Sequence, residues 1–467
     1  MAPDGLFIGG AWRQAASAFE VLDPATGRVA ARVADATARD ALQALDAAAD
    51  AQPSWAATAP RARAEILRRA YELVTERAEA LARLATRELG RPLAESRAEV
   101  AYAADFLRWF SEEAVRVGGE HRTAPSGDYR IVTARVPVGP CYLITPWNFP
   151  LAMVTRKVAP ALAAGCTVIL KPAEATPLSA LALAELLAEA GVPDGVVNVV
   201  PTTAPAEVTG ALLGDGRLRK LSFTGSTEVG RLLLAQSAGG VLRASMELGG
   251  NAPFLVFDDA DVAAAVEGAV TAKMRNSGQS CVAANRFLVH EAVAEEFTGA
   301  LRERLAALEV GREVGPLIDG DAVERVDGLV GDAKRRGAEI RLGGAPHAGP
   351  GWFYPPTLLT GVPEDAAITR QEIFGPVAAV AAYPDEPSMV AAANAAPAGL
   401  VAFLFTRDLG RAMRVGAALE AGMVGVNRGL VSNAAAPFGG VKQSGLGREG
   451  GLEGIDEYLE VKYLAVP

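Results

Sequence analysis

Two rhythms of apolar and polar positions divide the chain. Between Asp35 and Gly118, apolar residues recur about every three to four positions in alanine-rich sequence, which predicts several amphipathic helices. Further on, three segments share another order: a continuous apolar, β-rich run, a short turn with Pro, Gly or Ser, then an Ala/Leu-rich helical pattern. They are "GPCYLITPWNFPLAMVTRKVAPALAAG", "CTVILKPAEATPLSALALAELLAEAG" and "LRKLSFTGSTEVGRLLLAQSAGG". Such repetition predicts a parallel sheet with helical crossovers. Ligands of open sheets bind beyond the carboxyl ends of the strands, so "TPWN", "KPAE" and "FTGS" are expected to meet at one crevice. After Gly250 the grammar restarts with "APFLVF", a helical pattern from Asp261, and "NRFLVH", which sets a domain boundary near Met246 to Gly250. The tail "GIDEYLEVKYLAV" alternates like an edge strand that pairs with something else.

Length and composition narrow the class. A chain of 467 residues exceeds one compact core and implies two large lobes. Half of it is hydrophobic and 21% is charged, which argues against disorder. The formal charge of -10 argues against nucleic acid or an anionic membrane surface as partner and leaves a small molecule. Three scattered cysteines and three histidines exclude a disulfide framework and a structural zinc site, so no metal is expected. No apolar run reaches the roughly 18–20 residues of a membrane span. The opening "MAPDGLFIGGAW" lacks the pattern of a signal peptide, and the expected location is the cytoplasm.

Several residues can carry chemistry. At Gly225-Ser226-Thr227 a strand is expected to end and a helix to begin, which makes either an anion site or an ordinary hydroxyl cap. Lys171 and Glu174 in "KPAE" can hydrogen-bond ribose hydroxyls or simply pair with each other. Cys141 and Cys166 lie beside apolar strands and read as buried and inert. Cys281, in "NSGQSC", has an irregular approach through Gly278, Gln279 and Ser280, and the following "VAAN" is expected to start a helical turn whose N–H groups favour a thiolate.

"TPWNFP", "KPAE", "FTGSTEVG", "MELGGNAP", "NSGQSC", "EIFGP" and "PFGGVKQSGLGREG" occur in the order and approximate spacing of the aldehyde dehydrogenase superfamily, which the chain resembles from "FIGGAW" to "YLEVKYL". The resemblance implies an α/β fold with two Rossmann-like parallel-sheet domains and a small β oligomerisation domain. The implied divisions are 1–119 with 138–246 for NAD binding, 247–436 for catalysis, and 120–137 with 437–467 for oligomerisation into dimers or tetramers. It places Cys281 as nucleophile, Asn148 beside the developing oxyanion and Glu247 as the base that activates water, so that a free acid is released. Trp147, Asn148, Lys171, Pro172, Ala173, Glu174, Gly225, Ser226, Leu248, Glu372 and Phe374 fall on cofactor positions. Glu174 would accept from ribose hydroxyls and repel a 2′-phosphate, which favours NAD, with NADP second. Thr202 stands where many relatives have Gly.

Within that superfamily, "TRKVAPALAAG", "AVTAKMRNSGQSC" and "GMVGVNRGLVSNAAAPFGG" resemble the succinate-semialdehyde dehydrogenase branch. Arg156, Arg275 and Ser432 match the positions that bind the far carboxylate of an anionic aldehyde. Arg428 is unexpected near the pocket mouth and points to glutarate semialdehyde as an alternative, an uncharged aldehyde being another. Ala283 replaces a cysteine that some members carry, which removes a disulfide partner for Cys281. A cofactor-independent thiol hydrolase and a non-catalytic binding protein are the readings outside the class.

Overall fold

Four helices open the first lobe, and their limits follow from local chemistry. Ala38–Ala57 begins at Thr37, whose hydroxyl accepts from the Asp40 N–H while the Asp40 carboxylate accepts from the Thr37 N–H, a reciprocal cap. Pro60–Glu76 starts on a proline, which needs no helical donor there. Ala78–Leu89 stops at Gly90 in the left-handed region (φ 71°), and Leu93–Glu113 follows. These are the helices predicted between Asp35 and Gly118. The computed structural model describes residues 4–467; residues 1–3, which open the N-terminal stretch and the first predicted domain span, lie outside it.

Among the described residues the first sheet has eight strands, in the order Ala11–Arg13, Leu6–Ile8, Val197–Val199, Val168–Lys171, Cys141–Ile144, Lys220–Thr224, Arg243–Glu247 and Gly445–Leu446. The five central strands are parallel. Chain order reverses at Cys141–Ile144, flanked by Val168–Lys171 on one side and Lys220–Thr224 on the other, and a crevice opens at such a switch point. The second sheet runs Glu339–Leu342, Thr357–Thr360, Val377–Tyr383, Ala284–His290, Ala252–Val256, Val401–Phe405 and Met423–Val426, parallel except at its first pair. The chain passes between the sheets through Leu248–Asn251.

A third sheet joins Glu120–Thr123, Arg130–Pro137 and Leu459–Val466. The last strand pairs along the whole of Arg130–Pro137 and leaves Val461, Tyr463, Leu464 and Val466 exposed. After Pro437 the chain first pairs Val441–Lys442 with Ala398–Gly399, then joins the first sheet through Gly445–Leu446 beside Met246 and Glu247, and only its last strand enters the third sheet, so 437–467 is not one oligomerisation segment. Among the described residues no helix is long and apolar enough to cross a membrane.

Candidate active site

Loops leave the carboxyl ends of three adjacent parallel strands and converge, as the repeated grammar predicts: Thr145–Asn148, Pro172–Glu174 and Gly225–Ser226. The Trp147 carbonyl accepts from the Thr176 hydroxyl (3.1 Å) and the Ala173 carbonyl from the Thr176 N–H (3.2 Å), which ties the first two together. Lys171 Nζ, buried, lies 3.4 Å from the more open carboxylate of Glu174. Ser226 caps the helix Thr227–Ser237 by accepting from the Val229 N–H, so the plain capping role is met. A side chain on Gly225 would meet the Phe223 ring at 2.4 Å, and one on Gly230 would meet Leu248 at 2.4 Å, so both glycines let neighbouring side chains pack closely against the turn and the helix that follow Lys220–Thr224. At the far end the Trp147 and Phe374 rings meet edge to face at 5.4 Å, with Phe374 at φ 50°. Glu372 accepts from the Gly250 N–H at 3.3 Å; burial pushes its carboxyl up to about 7, against the pull of that N–H and of Lys273. A helix N-terminus, two rings and two carboxylates suit a dinucleotide.

Cys281 ends a strained loop. Asn276, Ser277 and Gly278 are all in the left-handed region, at φ 52°, 55° and 76°, a conformation that persists only where surroundings over-determine it. They do so here. The Asn276 amide donates to the carbonyls of Asn148 (2.9 Å) and Gln279 (3.2 Å), and its N–H donates to Glu95 (3.0 Å). Ser277 donates to the Gly315 carbonyl (2.9 Å), and Gln279 donates to the Pro316 carbonyl (3.0 Å) while accepting from the Ile318 N–H (2.9 Å). A Cβ on Gly278 would stand 2.1 Å from the Gly375 carbonyl oxygen, and one on Gly250 would stand 2.5 Å from that of Cys281. The glycines of "ELGGN" therefore bring Glu247 and the thiol into one chamber.

One expectation about this loop fails. "VAAN" makes a single turn, closed by the Ala283 N–H on the Ser280 carbonyl, and enters the strand Ala284–His290, so no helix N-terminus faces Cys281. Ser280 takes the nearby N–H groups instead, its carbonyl accepting from Ala283 (2.9 Å) and its hydroxyl from Val282 (3.4 Å), and pairing with Ala252–Val256 begins at Ala284. Burial pushes the thiol up to about 12; Arg156 opposes this, while Glu372 and Glu247 add to it. Glu247 is raised well above the usual carboxylate range, first by burial and then by Glu449, against Arg156 and Lys157. Neither of its oxygens has a hydrogen-bond partner among the described residues. Asn148 gives one amide N–H to the Gln279 carbonyl (3.0 Å), which leaves its second N–H for an oxyanion.

Arg156 and Arg275 also reach this chamber. Arg156 is fully buried in the helix Ala152–Ala164, its Nε 2.5 Å from Glu449 and its guanidinium 4.2 Å over the Phe438 ring. Glu449 is shared with Lys157 Nζ at 2.5 Å, which also donates to Ser222 (2.9 Å). Burial works against the Arg156 charge, but Glu449, Tyr102 and Glu247 outweigh it and hold the guanidinium protonated. Its Nη2 has no hydrogen-bond partner among the described residues. Arg275 lies over the Phe149 ring at 4.6 Å, Ser432 is half-buried, and Arg428 is exposed. The anion that buried Arg156 was expected to need is thus partly supplied from within by Glu449.

A profile of the aldehyde dehydrogenase family matches residues 12–464. The chain belongs to that family. It is 58% identical over 442 residues to a succinate-semialdehyde dehydrogenase of Paenarthrobacter nicotinovorans, covering 93% of this chain and 98% of that one. It is 49% identical over 468 residues to a glutarate-semialdehyde dehydrogenase of Pseudomonas aeruginosa, covering 98% and 97%. A crystal structure of an Escherichia coli NADP-dependent enzyme superposes with a TM-score of 0.98 at 47% identity, over 99% of this chain and 98% of that one.

Sequence reasoning missed three residues of this aldehyde dehydrogenase's chamber: Lys157, Glu449 and Tyr102. The first two stand inside segments already quoted, and only their long-range pairing distinguishes them. The raised thiol of half-buried Cys281 sets a measurable expectation for the free dehydrogenase. Alkylation of Cys281 by iodoacetamide should accelerate about tenfold per pH unit from pH 7 to 10, because only the thiolate reacts and its fraction keeps rising below a pKa of about 12. A plateau near pH 8 would show a stabilised thiolate instead.

Proposed function

We propose that this aldehyde dehydrogenase oxidises succinate semialdehyde to succinate with NAD(P), through a thiohemiacetal and then a thioester on Cys281. The observation that carries this is the convergence of two guanidinium groups, the buried Arg156 and the half-buried Arg275, on the chamber that holds the thiol and Glu247. Cys281 Sγ bonds to the aldehyde carbon, the thiol proton passes to the Glu247 carboxylate and from there to solvent, and the carbonyl π pair moves onto the oxygen. The second Asn148 N–H and the Cys281 N–H take the negative oxygen. NAD(P), when bound, would supply the hydride acceptor that the adduct needs to become a thioester. Trp147, Lys171, Pro172, Ala173, Glu174, Gly225, Ser226, Leu248, Glu372 and Phe374 would hold the dinucleotide. Glu247 then takes a proton from the water that cleaves the thioester, and Arg156, Arg275 and Ser432 hold the distal carboxylate throughout.

The test is NADH or NADPH formation with succinate semialdehyde and with butanal. The expected ratio of kcat/KM is at least about a hundredfold in favour of the charged aldehyde, worth about 2.7 kcal/mol of transition-state binding, and Arg275→Leu should remove most of it. Equal rates would leave the arginines structural. Glutarate semialdehyde is the second reading, supported by the name of the Pseudomonas relative and by exposed Arg428. The Glu174 carboxylate favours NAD, while likeness to the E. coli enzyme favours NADP, so both are assayed. The exposed apolar residues of Leu459–Val466 support assembly into dimers or tetramers, and the acidic, span-free chain supports a cytoplasmic location.

A further inference from the structure

Tyr102 belongs to no motif, yet it sits where the carboxylate pocket closes. Its helix, Leu93–Glu113, presents one face to the chamber through residues three and four positions apart. On that face Glu95 accepts from the Asn276 N–H (3.0 Å) and holds the loop that carries Arg275. Glu99 accepts from the N–H groups of Leu151 (2.8 Å) and Ala152 (3.0 Å), at the start of the helix that carries Arg156, and pairs with Arg91. Tyr102 is the next residue along. Its ring is held edge to face against Phe106 at 4.9 Å, and the Arg275 guanidinium lies 5.8 Å from the ring centre. A helix anchored to both arginine-bearing elements thus delivers a phenol between them.

The hydroxyl is enclosed and has no hydrogen-bond partner among the described residues, although Arg156 and Ser432 stand beside it. Guanidinium groups only donate, so they cannot take the phenolic proton. Burial raises the phenol above its ordinary value against the pull of Arg156 and Arg275, which keeps that proton in place. Arg156 Nη2 is likewise without a partner. A carboxylate offers about four lone-pair sites, and Arg156, Arg275, Ser432 and Tyr102 are four donors around one space. An apolar tail would offer no acceptor to Arg156 Nη2 or to the Tyr102 hydroxyl.

We infer that Tyr102 is a specificity-determining residue that donates its hydroxyl hydrogen bond to the distal carboxylate of the substrate. This rests on the carboxylate-pocket reading of the proposed function. The test compares wild-type enzyme, Tyr102→Phe and Arg275→Leu in steady state with succinate semialdehyde and butanal, and adds succinate as an inhibitor. Phenylalanine keeps the ring and its contacts with Phe106 and Arg275. In Tyr102→Phe, KM for succinate semialdehyde and the inhibition constant of succinate should each rise about tenfold, the size of one hydrogen bond to a charged acceptor. Turnover at saturation and kcat/KM for butanal should stay within about twofold. If the wild type and Arg275→Leu behave as a carboxylate pocket requires while Tyr102→Phe matches wild type, or loses equally on both aldehydes, the assignment of Tyr102 is overturned and the pocket stands. If wild type does not distinguish the two aldehydes, pocket and assignment fall together.

Discussion

Cys281→Ser should lower kcat/KM for succinate semialdehyde by at least about 10⁴-fold, a loss of about 5.5 kcal/mol, while leaving the protein folded. The chamber explains why the hydroxyl cannot substitute. Burial already holds the more acidic thiol up at about 12, and no basic side chain hydrogen-bonds it. A serine hydroxyl in the same setting starts several pH units further from its anion, and the ester it would form resists hydrolysis better than a thioester. Serine removes one polarisable atom and no ion pair, so the melting temperature should move little. Retention of more than about one per cent of activity would remove Cys281 from the reaction.

Glu449→Gln should cost about 3–5 kcal/mol of unfolding free energy, the usual consequence of removing one partner from a buried charge cluster. Glu449 is the anion for Arg156 and Lys157, both within 2.5 Å and both buried, and glutamine leaves those two cations without it. Denaturant unfolding reads the loss directly, and a change below about 1 kcal/mol would mean that the cations find another counter-charge. The sign of the pH effect is fixed. Burial raises the Glu449 carboxyl, but Arg156 and Lys157 outweigh it and hold the group below its ordinary 4.5. Its contribution is therefore full above that value and is lost as pH falls through the lower folded value, so the wild type should weaken on acidification below about 4.5 and the variant should lack this component. Removing the negative neighbour should also let Glu247 ionise at lower pH, and under the proposed role of Glu247 the acid limb of the rate profile should move the same way.

What the sequence by itself determined is the set of elements and their meeting place. The four early helices, the three strand–turn–helix units and the edge strand at the end follow from periodicity and turn chemistry, which are local properties of a chain. The crevice follows too, because parallel crossovers must leave "TPWN", "KPAE" and "FTGS" at one end of adjacent strands. Tertiary structure alone decided how the chamber is charged. Arg156 meets Glu449, and Lys157 shares it across 292 positions of sequence. The stretch after Cys281 turns once on Ser280 and runs into a strand paired with Ala252–Val256, so it does not continue as the helical turn that would have favoured a thiolate. Tyr102, one apolar position among many in its helix, is a pocket residue only because Glu95 and Glu99 dock that helix against both arginines. Desolvation and ion pairing depend on neighbours brought from far along the chain, and no local pattern records who those neighbours will be.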